Sequence, residues 1–420
     1  MHALGIGTDR FAKDSELTSR QQLLVAAYWC ALSFHGGALL GVALPSQLSD
    51  LSTDAQATGL LAVLGGTAGL ITMVVQPVAG ALSDLSSSRW GRRRPYLVGG
   101  ALVDVGGLIL MAVATTLPLL FIGFLLASLG SGVSGAAYQA YIPDQVPPQQ
   151  YGEASGYLGA MSMLGTIVSF GVAAIVIAPR HVASFYLITV ALIAVGALIT
   201  AVAIPDTPVS RAARPLEQTW RALWIEPWRH PDFSWVFATR TMMMIALYTL
   251  FTFVAFYVRD VVHVTQFVQG AAALAGAATV AALVSGVITG WLSDRIGRKI
   301  LVSFASALMA AALFGLAFFH QLNVVLSLGI VFGLALGTYM AVDWALAVDV
   351  LPTEGFAAKD LGLWGLSTNL PQATAPLIGG AVLQVFAPFG KSVSYGALFF
   401  GAAVCAGASG ILVWRIQGAR

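Results

Sequence analysis

The chain has 420 residues, of which 58% are hydrophobic and 10% are charged, and its mean hydropathy is +0.82. A soluble fold needs more charge than this to cover its surface, so the composition excludes an ordinary soluble protein and indicates a lipid-facing surface. The net charge of +2 carries no information about partners. The first 20 residues are charged rather than apolar, which is unlike a cleavable signal peptide.

Long charge-free runs follow one another along the chain, and one bilayer crossing takes about 20 apolar residues. Hydropathy, read with the glycine, proline and charge breaks, predicts an all-α polytopic membrane protein with twelve transmembrane helices. The predicted helices are 21–46, 57–83, 96–115, 118–141, 154–178, 183–204, 234–258, 266–292, 300–320, 323–348, 360–386 and 393–415. Cys30 and Cys405 fall in these helices without a surrounding motif, so no disulfide or metal site is predicted.

The largest polar interruption divides the helices into two sets of six. It spans 205–232 and predicts a cytoplasmic loop between an N-terminal bundle, 1–204, and a C-terminal bundle, 233–420. With the N-terminus inside, 17 of the 21 lysines and arginines face the cytoplasm, and one lies within a helix. The remaining three, which face outward, are Arg180, Arg259 and Lys391. This asymmetry predicts a protein of the cell membrane with both termini in the cytoplasm.

Two motifs of the first six helices recur in the second six. The matched segments are "GALSDLSSSRWGRRRP" (80–95) with "GWLSDRIGRKI" (290–300), and "YIPDQVPPQQYGEASGYLG" (141–159) with "LAVDVLPTEGFAAKDLGLWG" (346–365). Asp84 precedes Asp294 by 210 residues, and Asp144 precedes Asp349 by 205. A serine-rich insertion in the first loop accounts for most of this difference. Two independent motifs with nearly the same offset predict that the halves are parallel structural repeats.

The repeated loop resembles that of the major facilitator superfamily, and the similarity extends over essentially the whole chain. The residues that carry it are Gly80, Leu82, Ser83, Asp84, Gly91, Arg92, Arg93, Arg94 and Pro95, and in the second copy Gly290, Leu292, Ser293, Asp294, Arg295, Gly297, Arg298 and Lys299. The first copy contains the additional "LSSSRW", and its longer form "SRWGRRRP" resembles the sucrose-transporter and glycoside–cation symporter branches. The resemblance implies the major facilitator fold, with two pseudo-symmetric six-helix bundles.

The same resemblance implies a cytoplasmic gate at the repeated loops. In that family, the loop aspartate meets the N-terminal end of a helix in the other half, where the helix dipole favours an anion. The contact would break when the halves rock. The implied gate residues are Asp84, Gly91, Arg92, Arg93, Asp294, Gly297 and Arg298. An alternative for the arginines of the first loop is that they only enforce the topology and bind anionic lipid headgroups.

Four ionisable residues, His35, Asp104, Arg240 and Asp343, lie within predicted helices, where such groups are costly and therefore indicate function. His35 titrates near neutrality and suits proton coupling, or it hydrogen-bonds a neighbour or the substrate without titrating. Asp104 is either a proton carrier or a neutral, hydrogen-bonded packing acid. Asp343 corresponds to Tyr138 in the repeat, an asymmetry that favours function at both positions. Arg240 and Asp343 serve binding, coupling or gating, or form a structural pair.

The eleventh predicted helix contains amides suited to a hydroxyl-rich ligand. Asn369 and Gln372 lie on one side of this helix, at i and i+3, next to two prolines that loosen the backbone. Aromatic rings commonly stack on such ligands. The candidate rings are Tyr248, Tyr339, Trp344 and Trp364. Packing at helix interfaces is the alternative role for each ring.

Motifs for enzymatic chemistry are weak in this sequence. "GSGVSG" (130–135) satisfies G-x-G-x-x-G and contains G-x-S-G, but it lies in an apolar helix without a preceding strand. Close helix packing through small residues explains it better. Asp104 and Asp343 lack the G-x-G-D context of an intramembrane aspartyl protease, and no phosphate loop is present. We therefore predict a protein that is not an enzyme.

The sequence thus predicts a secondary active transporter that works by alternating access, with proton-coupled symport of a sugar or glycoside as the leading function. Proton-antiport efflux of drugs or metabolites and a non-transporting, transporter-like receptor are the alternatives. The expected partners are a small-molecule substrate and the lipid bilayer, without nucleic acid. We expect a monomer with no cofactor beyond a coupling proton or other cation.

Overall fold

The structure, a computed structural model, describes residues 17–86, 88, 90–139, 146, 150–177, 181–203, 231–349 and 357–417. Across these residues the ordered elements are helices, without a strand. Twelve helices in the described ranges are long and apolar enough to cross a membrane, which confirms the predicted all-α membrane protein. Most of the predicted central loop lies outside the described residues, and Pro231 and Asp232 already belong to a helix, so the domain boundary stays a prediction.

The twelve membrane-spanning helices agree in position with the twelve predicted ones, and their ends differ by a few residues. They are α1, Ser19–Leu51; α2, Asp54–Leu85; α3, Arg94–Ala112; α4, Leu117–Gln139; α5, Tyr151–Val176; α6, Val182–Ala203; α7, Pro231–Asp260; α8, Phe267–Ile296; α9, Arg298–Phe318; α10, Leu322–Asp349; α11, Ala357–Phe386; and α12, Lys391–Leu412. Proline at the start of α3 fits the helix terminus, where no backbone N–H is needed.

The helices group into two compact units. Unit 1 comprises the described residues of Met1–Ala38, Ile71–Val172 and Pro179–Thr219, and unit 2 those of Leu39–Leu70, Ala173–Ala178 and Trp220–Arg420. The first helix passes from unit 1 to unit 2 at a π-helical turn, Leu39–Ala43, which interrupts its α-helical hydrogen bonding. Such turns are rare and often mark functional positions in helices.

In unit 1, α3 packs closely on α4 through small residues. A Cβ atom built on Gly100 would overlap the backbone of Ser134, and one built on Gly130 would overlap the backbone nitrogen of Asp104. The stretch "GSGVSG" therefore provides a surface for close helix packing, as predicted. This packing fixes the height and rotation of Asp104 in the membrane.

The helix α2 is divided between the two units, and its first half, which belongs to unit 2, packs on α11. A Cβ on Gly69 would overlap the backbone of Ala373, and a Cβ on Gly65 would press on Pro376. The end of α1 makes an equally close approach to α7, since a Cβ on Gly41 would overlap the carbonyl oxygen of Phe251. Glycines at these positions let the backbones of four helices meet within one unit.

Candidate functional site

Two of the predicted intramembrane residues, His35 on α1 and Asp104 on α3, form a buried pair in unit 1. His35 Nδ1 lies 3.1 Å from Asp104 Oδ2, within hydrogen-bond distance. His35 is 6% exposed and Asp104 is 0% exposed. Each residue could be selected from the sequence as a buried ionisable group, but the pairing of the two could not be predicted. In a membrane interior, this contact offsets the cost of burying either group alone.

The second carboxylate oxygen of Asp104 is left without a partner. Asp104 Oδ1 is buried and has no hydrogen bond to any residue in the described ranges. A buried ionised oxygen in this state is costly, because it has lost its water without gaining another donor. Oδ1 is therefore the atom at which a proton, or a hydrogen-bond donor of a bound molecule, would relieve that cost.

Tyr28, a fully buried residue of α1, lies close enough to Asp104 to interact with its charge. Its ring meets that of Tyr138 edge-on, with centroids 5.3 Å apart. The Tyr138 hydroxyl donates a hydrogen bond to the backbone carbonyl of Val25 on α1. The structure thus places Tyr138 in a packing and hydrogen-bonding position between α1 and α4, beside the His35–Asp104 pair rather than in it.

Arg240 on α7 and Asp343 on α10 form a second buried pair, in unit 2. Arg240 Nη1 contacts Asp343 Oδ2, and the two side chains are 14% and 3% exposed. The pairing predicted from the sequence is therefore present. Arg240 Nε and Nη2 also donate hydrogen bonds to Thr368 Oγ1 on α11, at 3.1 and 3.0 Å. The guanidinium group of Arg240 therefore connects α7 to α10 through Asp343 and to α11 through Thr368.

Polar and aromatic side chains surround this second pair. Tyr339 and Tyr248 are close enough to Arg240 to interact with its charge, and Tyr339 is buried. Asn369 and Gln372 are half-buried on α11, one and four residues after Thr368. The structure thus brings four of the predicted residues together in unit 2: Arg240, Asp343, Tyr248 and Tyr339. The predicted Trp344 and Trp364 lie on α10 and α11, but their side chains are outside the described part of the structure.

The repeated loops share one backbone feature. Gly91 and Gly297, which the repeat aligns, have φ angles of 104° and 99°, a left-handed region that favours glycine. Arg93 is buried and donates from Nη1 to Ser83 Oγ at 2.6 Å, so it connects the end of α2 to the start of α3.

The rest of the implied gate is only partly described. Arg92 and Arg298 are half-buried, while Asp84 and Asp294 lie in α2 and α8 with side chains outside the described residues. The gate role of these loops therefore stays a prediction.

Sequence reasoning missed Thr368 and Ser83. Thr368 directly precedes the predicted Asn369, and helical threonines usually bond to their own backbone, so its position gave no distinct signal. Ser83 recurs as Ser293 in the second copy of the loop, and this repetition could have marked it as a candidate. In neither case could the chain order reveal the arginine that the hydroxyl contacts.

Comparison with known proteins places these features in a family. The family model of the Major Facilitator Superfamily matches residues 29–357 and 268–419. A general alpha-glucoside permease of Schizosaccharomyces pombe is 29% identical over 139 residues, covering 29% of this chain and 25% of that protein. An uncharacterized MFS-type transporter of Bacillus subtilis, YfiU, is 33% identical over 102 residues, covering 24% and 18%. The matched segments thus span a quarter or less of these curated relatives.

Solved structures resemble the chain over nearly its whole length. A D-xylose-proton symporter superposes with a TM-score of 0.73 at 15% identity, covering 94% of this chain and 97% of that one. A bacterial homologue of the human lysosomal transporter Spinster gives 0.68 at 14%, covering 95% and 96%. The nucleoside transporter NupG gives 0.67 at 13%, covering 94% and 98%. At these identities the likeness establishes the fold.

Twelve membrane-spanning helices in this fold define a polytopic membrane protein of the major facilitator type. Because its family model matches most of the sequence, the chain belongs to the major facilitator superfamily. The predicted family and fold are confirmed.

Proposed function

We propose that this protein is a secondary active transporter that carries a sugar or glycoside together with protons by alternating access. The observation that carries the proposal is the buried His35–Asp104 pair with its unpartnered carboxylate oxygen. A carboxyl and an imidazole are both groups that can carry a proton, and the unpartnered Oδ1 leaves a place for one. The pair therefore has a protonation state that can change during a transport cycle.

The proton balance of this pair follows from its two groups. With His35 neutral and Asp104 ionised, the pair carries one negative charge in a low-dielectric interior. Binding one proton, on Asp104 Oδ1 or on the imidazole, makes the pair neutral overall. Neutralisation removes a large part of the cost of keeping the pair away from water. A proton bound on one side of the membrane and released on the other would thus couple transport to a proton gradient.

The Arg240–Asp343 pair is suited to a different role. Arginine stays protonated in proteins, so this pair keeps a fixed, mutually neutralised charge. We assign it to the organisation of the substrate site in unit 2, with Thr368 bonded to Arg240 and with Asn369 and Gln372 following Thr368 along α11. Amide and hydroxyl groups next to aromatic rings can hydrogen-bond and stack on sugar rings, as hydroxyl-rich ligands require.

The sugar class is supported by similarity rather than by a bound ligand. One relative is a general alpha-glucoside permease, and one structure of the same fold is a D-xylose-proton symporter. The longer "SRWGRRRP" loop also resembles the sucrose and glycoside symporter branches. These similarities agree on sugars, whereas the nucleoside transporter of the same fold indicates how widely substrates vary.

The test is uptake by purified protein in proteoliposomes. A panel of labelled monosaccharides, α- and β-glucosides, nucleosides and cationic drugs would be offered with and without an imposed inward pH gradient, in sodium-free buffer. We expect accumulation of at least one sugar or glycoside, and only when the gradient is present. Sodium would be restored in a second series, and accumulation driven by sodium alone would contradict proton coupling.

The alternative functions give different results in the same assay. Export of a drug or metabolite in exchange for protons, without sugar uptake, would replace symport by antiport efflux. Saturable binding of a sugar without its movement into the lumen would replace transport by a receptor function. Either result would overturn the proposal.

A further inference from the structure

Two of the three outward-facing cations predicted from the sequence contact one aspartate in unit 2. Asp260, at the end of α7, accepts from Arg259 Nε at 2.7 Å and pairs with Lys391 Nζ of α12 at 2.9 Å. Arg259 and Lys391 are two of the three cations that violate the inside bias of positive charge. The membrane orientation favours lysine and arginine on the cytoplasmic side, so it does not explain these two cations on the outer side. Their shared partner, Asp260, indicates a structural role instead.

Arg259 also reaches across to the first helix. Its Nη1 donates to Ser49 Oγ at the end of α1, at 2.9 Å. The guanidinium plane lies over the rings of Phe256 and Phe267, at 4.6 and 5.8 Å from their centroids. The side chain of Arg259 is 14% exposed, so this hydrogen bond is shielded from water and the arginine is held by stacking as well as by charge.

The backbone contacts below this point are close. Gly41 of α1 meets the carbonyl of Phe251 on α7, and Gly69 of α2 meets Ala373 on α11. Such contacts pack well, but they offer no polar attraction that could hold or release the helices as a unit. The Arg259–Ser49 bond is a polar connection between the end of α1 and the end of α7, placed at the rim of that packed region.

We propose that Ser49, Arg259 and Asp260 form a latch that holds the end of α1 against α7 on the side of the membrane opposite the arginine-rich loop. Asp260 fixes the orientation of Arg259, and Arg259 binds Ser49. Lys391 is 53% exposed and contributes little through its pair with Asp260, because exposed ion pairs are screened by water. Release of Ser49 is then the step that frees the end of α1. The latch serves the alternating access proposed above, but its existence does not depend on the substrate.

The experiment measures access of a water-soluble reagent to the end of α1. The native Cys30 and Cys405 are replaced, and Leu48→Cys places a reporter thiol at a fully buried position next to Ser49. A membrane-impermeant maleimide is added from the side opposite the arginine-rich loop, and the labelling rate is followed in membranes. No transport is needed, so failure of the latch and failure of the proposed sugar symport give distinguishable results.

The Ser49→Ala exchange removes the latch acceptor, and Arg259→Gln removes its donor. We expect each to raise the labelling rate about tenfold, on the scale of a lost charge-assisted hydrogen bond. Ser49→Thr keeps a hydroxyl and should restore the slow rate. The matched control is Ser52→Ala, because the Ser52 Oγ bonds to backbone carbonyls of its own segment, Leu48 O and Thr53 O. Lys391→Gln should change the rate less than twofold.

Equal labelling rates in Ser49→Ala, Ser52→Ala and the reporter background would overturn the latch. A tenfold increase in Lys391→Gln would also contradict it, because the lysine would then hold the structure together. If Arg259→Gln fails to fold, the pair of serine variants decides the question, since both retain every charge of the cluster.

Discussion

At the scale of single residues, two buried pairs of opposite charge differ in whether their charge can change. The first pair joins a carboxyl and an imidazole, either of which can be a proton carrier, whereas Arg240 keeps its charge beside Asp343. Loss of one member should therefore have different consequences in the two pairs. In the first pair the remaining group can become neutral, while in the second the arginine would be left as an uncompensated charge.

The Asp343→Asn exchange tests this difference. It removes the counter-charge of Arg240 in the interior of unit 2, and we expect a loss of about 3–5 kcal/mol of stability. Thermal unfolding in detergent, followed by intrinsic fluorescence, should show a clearly lower midpoint. The double variant Arg240→Gln/Asp343→Asn should recover part of the loss, because no charge is then unpaired. A double variant that is less stable than Asp343→Asn would refute this account.

The approach of Gly130 to Asp104 is a second feature at this scale. Gly130→Ala would place a methyl group on the backbone nitrogen of Asp104, so α3 and α4 would have to separate. We expect a loss of about 1–3 kcal/mol in thermal stability, as for other overpacked interiors. Gly106→Ala on α3 is the matched control, because a Cβ there meets nothing within 4 Å. Equal midpoints for the two variants would contradict the proposed close packing.

At the scale of helices and loops, the aligned glycines of the two repeats offer a paired prediction. Gly91→Ala and Gly297→Ala each force a left-handed backbone on an L-residue, at a cost of about 1–2 kcal/mol. Gly80→Ala and Gly290→Ala, four residues before each loop aspartate, are helical controls with no atom within 4 Å of the new Cβ. Midpoints of thermal unfolding should fall for the loop pair alone. A similar decrease in the controls would exclude backbone strain as the cause.

Most of the helical architecture could be predicted from the sequence. Apolar runs long enough to cross a bilayer determine where helices lie, because the backbone must bond internally in lipid. The repeat aligned Gly91 with Gly297, and the shared positive φ angles are what that alignment implies. The pairing of Arg240 with Asp343 could be predicted as well, since two opposite charges in one half are costly unless they meet.

Other parts of the site depend on tertiary packing and could not be predicted. The pair of His35 and Asp104 joins two helices that are not consecutive in the chain, so it was not visible in the sequence. The π-helical turn Leu39–Ala43 could not be predicted either, since a single glycine, Gly41, among apolar residues is common in membrane helices and does not specify a π-turn. The second contact of Arg240, with Thr368, depends on how α7 lies against α11.

At the scale of the whole molecule, α1 belongs to both compact units. His35 lies on its unit 1 side and Ser49 on its unit 2 side, and the π-helical turn Leu39–Ala43 separates them. A change in protonation at the first position and release of the latch at the second would thus act on one continuous helix. We expect the two to be energetically coupled through that turn.

This coupling is testable by combining a proton-site variant with the latch reporter. Lowering the pH should change the labelling rate of Leu48→Cys in the otherwise native chain. The Asp104→Asn exchange, which holds that site in a neutral form, should abolish the pH dependence that arises from the pair. Asp50→Asn, the same exchange at an exposed carboxylate of α1, is the control and should leave the pH dependence intact. An unchanged pH dependence in Asp104→Asn would exclude the coupling.

The central claim is that Asp104 and His35 carry the coupled proton, and electrical recording on a solid-supported membrane tests it most directly. A neutral sugar carries no charge, so a current on its addition reports the coupled ion. For the panel sugar with the largest uptake, we predict an inward positive current in the native protein, in sodium-free buffer. Asp104→Asn should lose this current but retain exchange of labelled sugar. An undiminished current in Asp104→Asn, or sugar uptake without current in the native protein, would contradict the account.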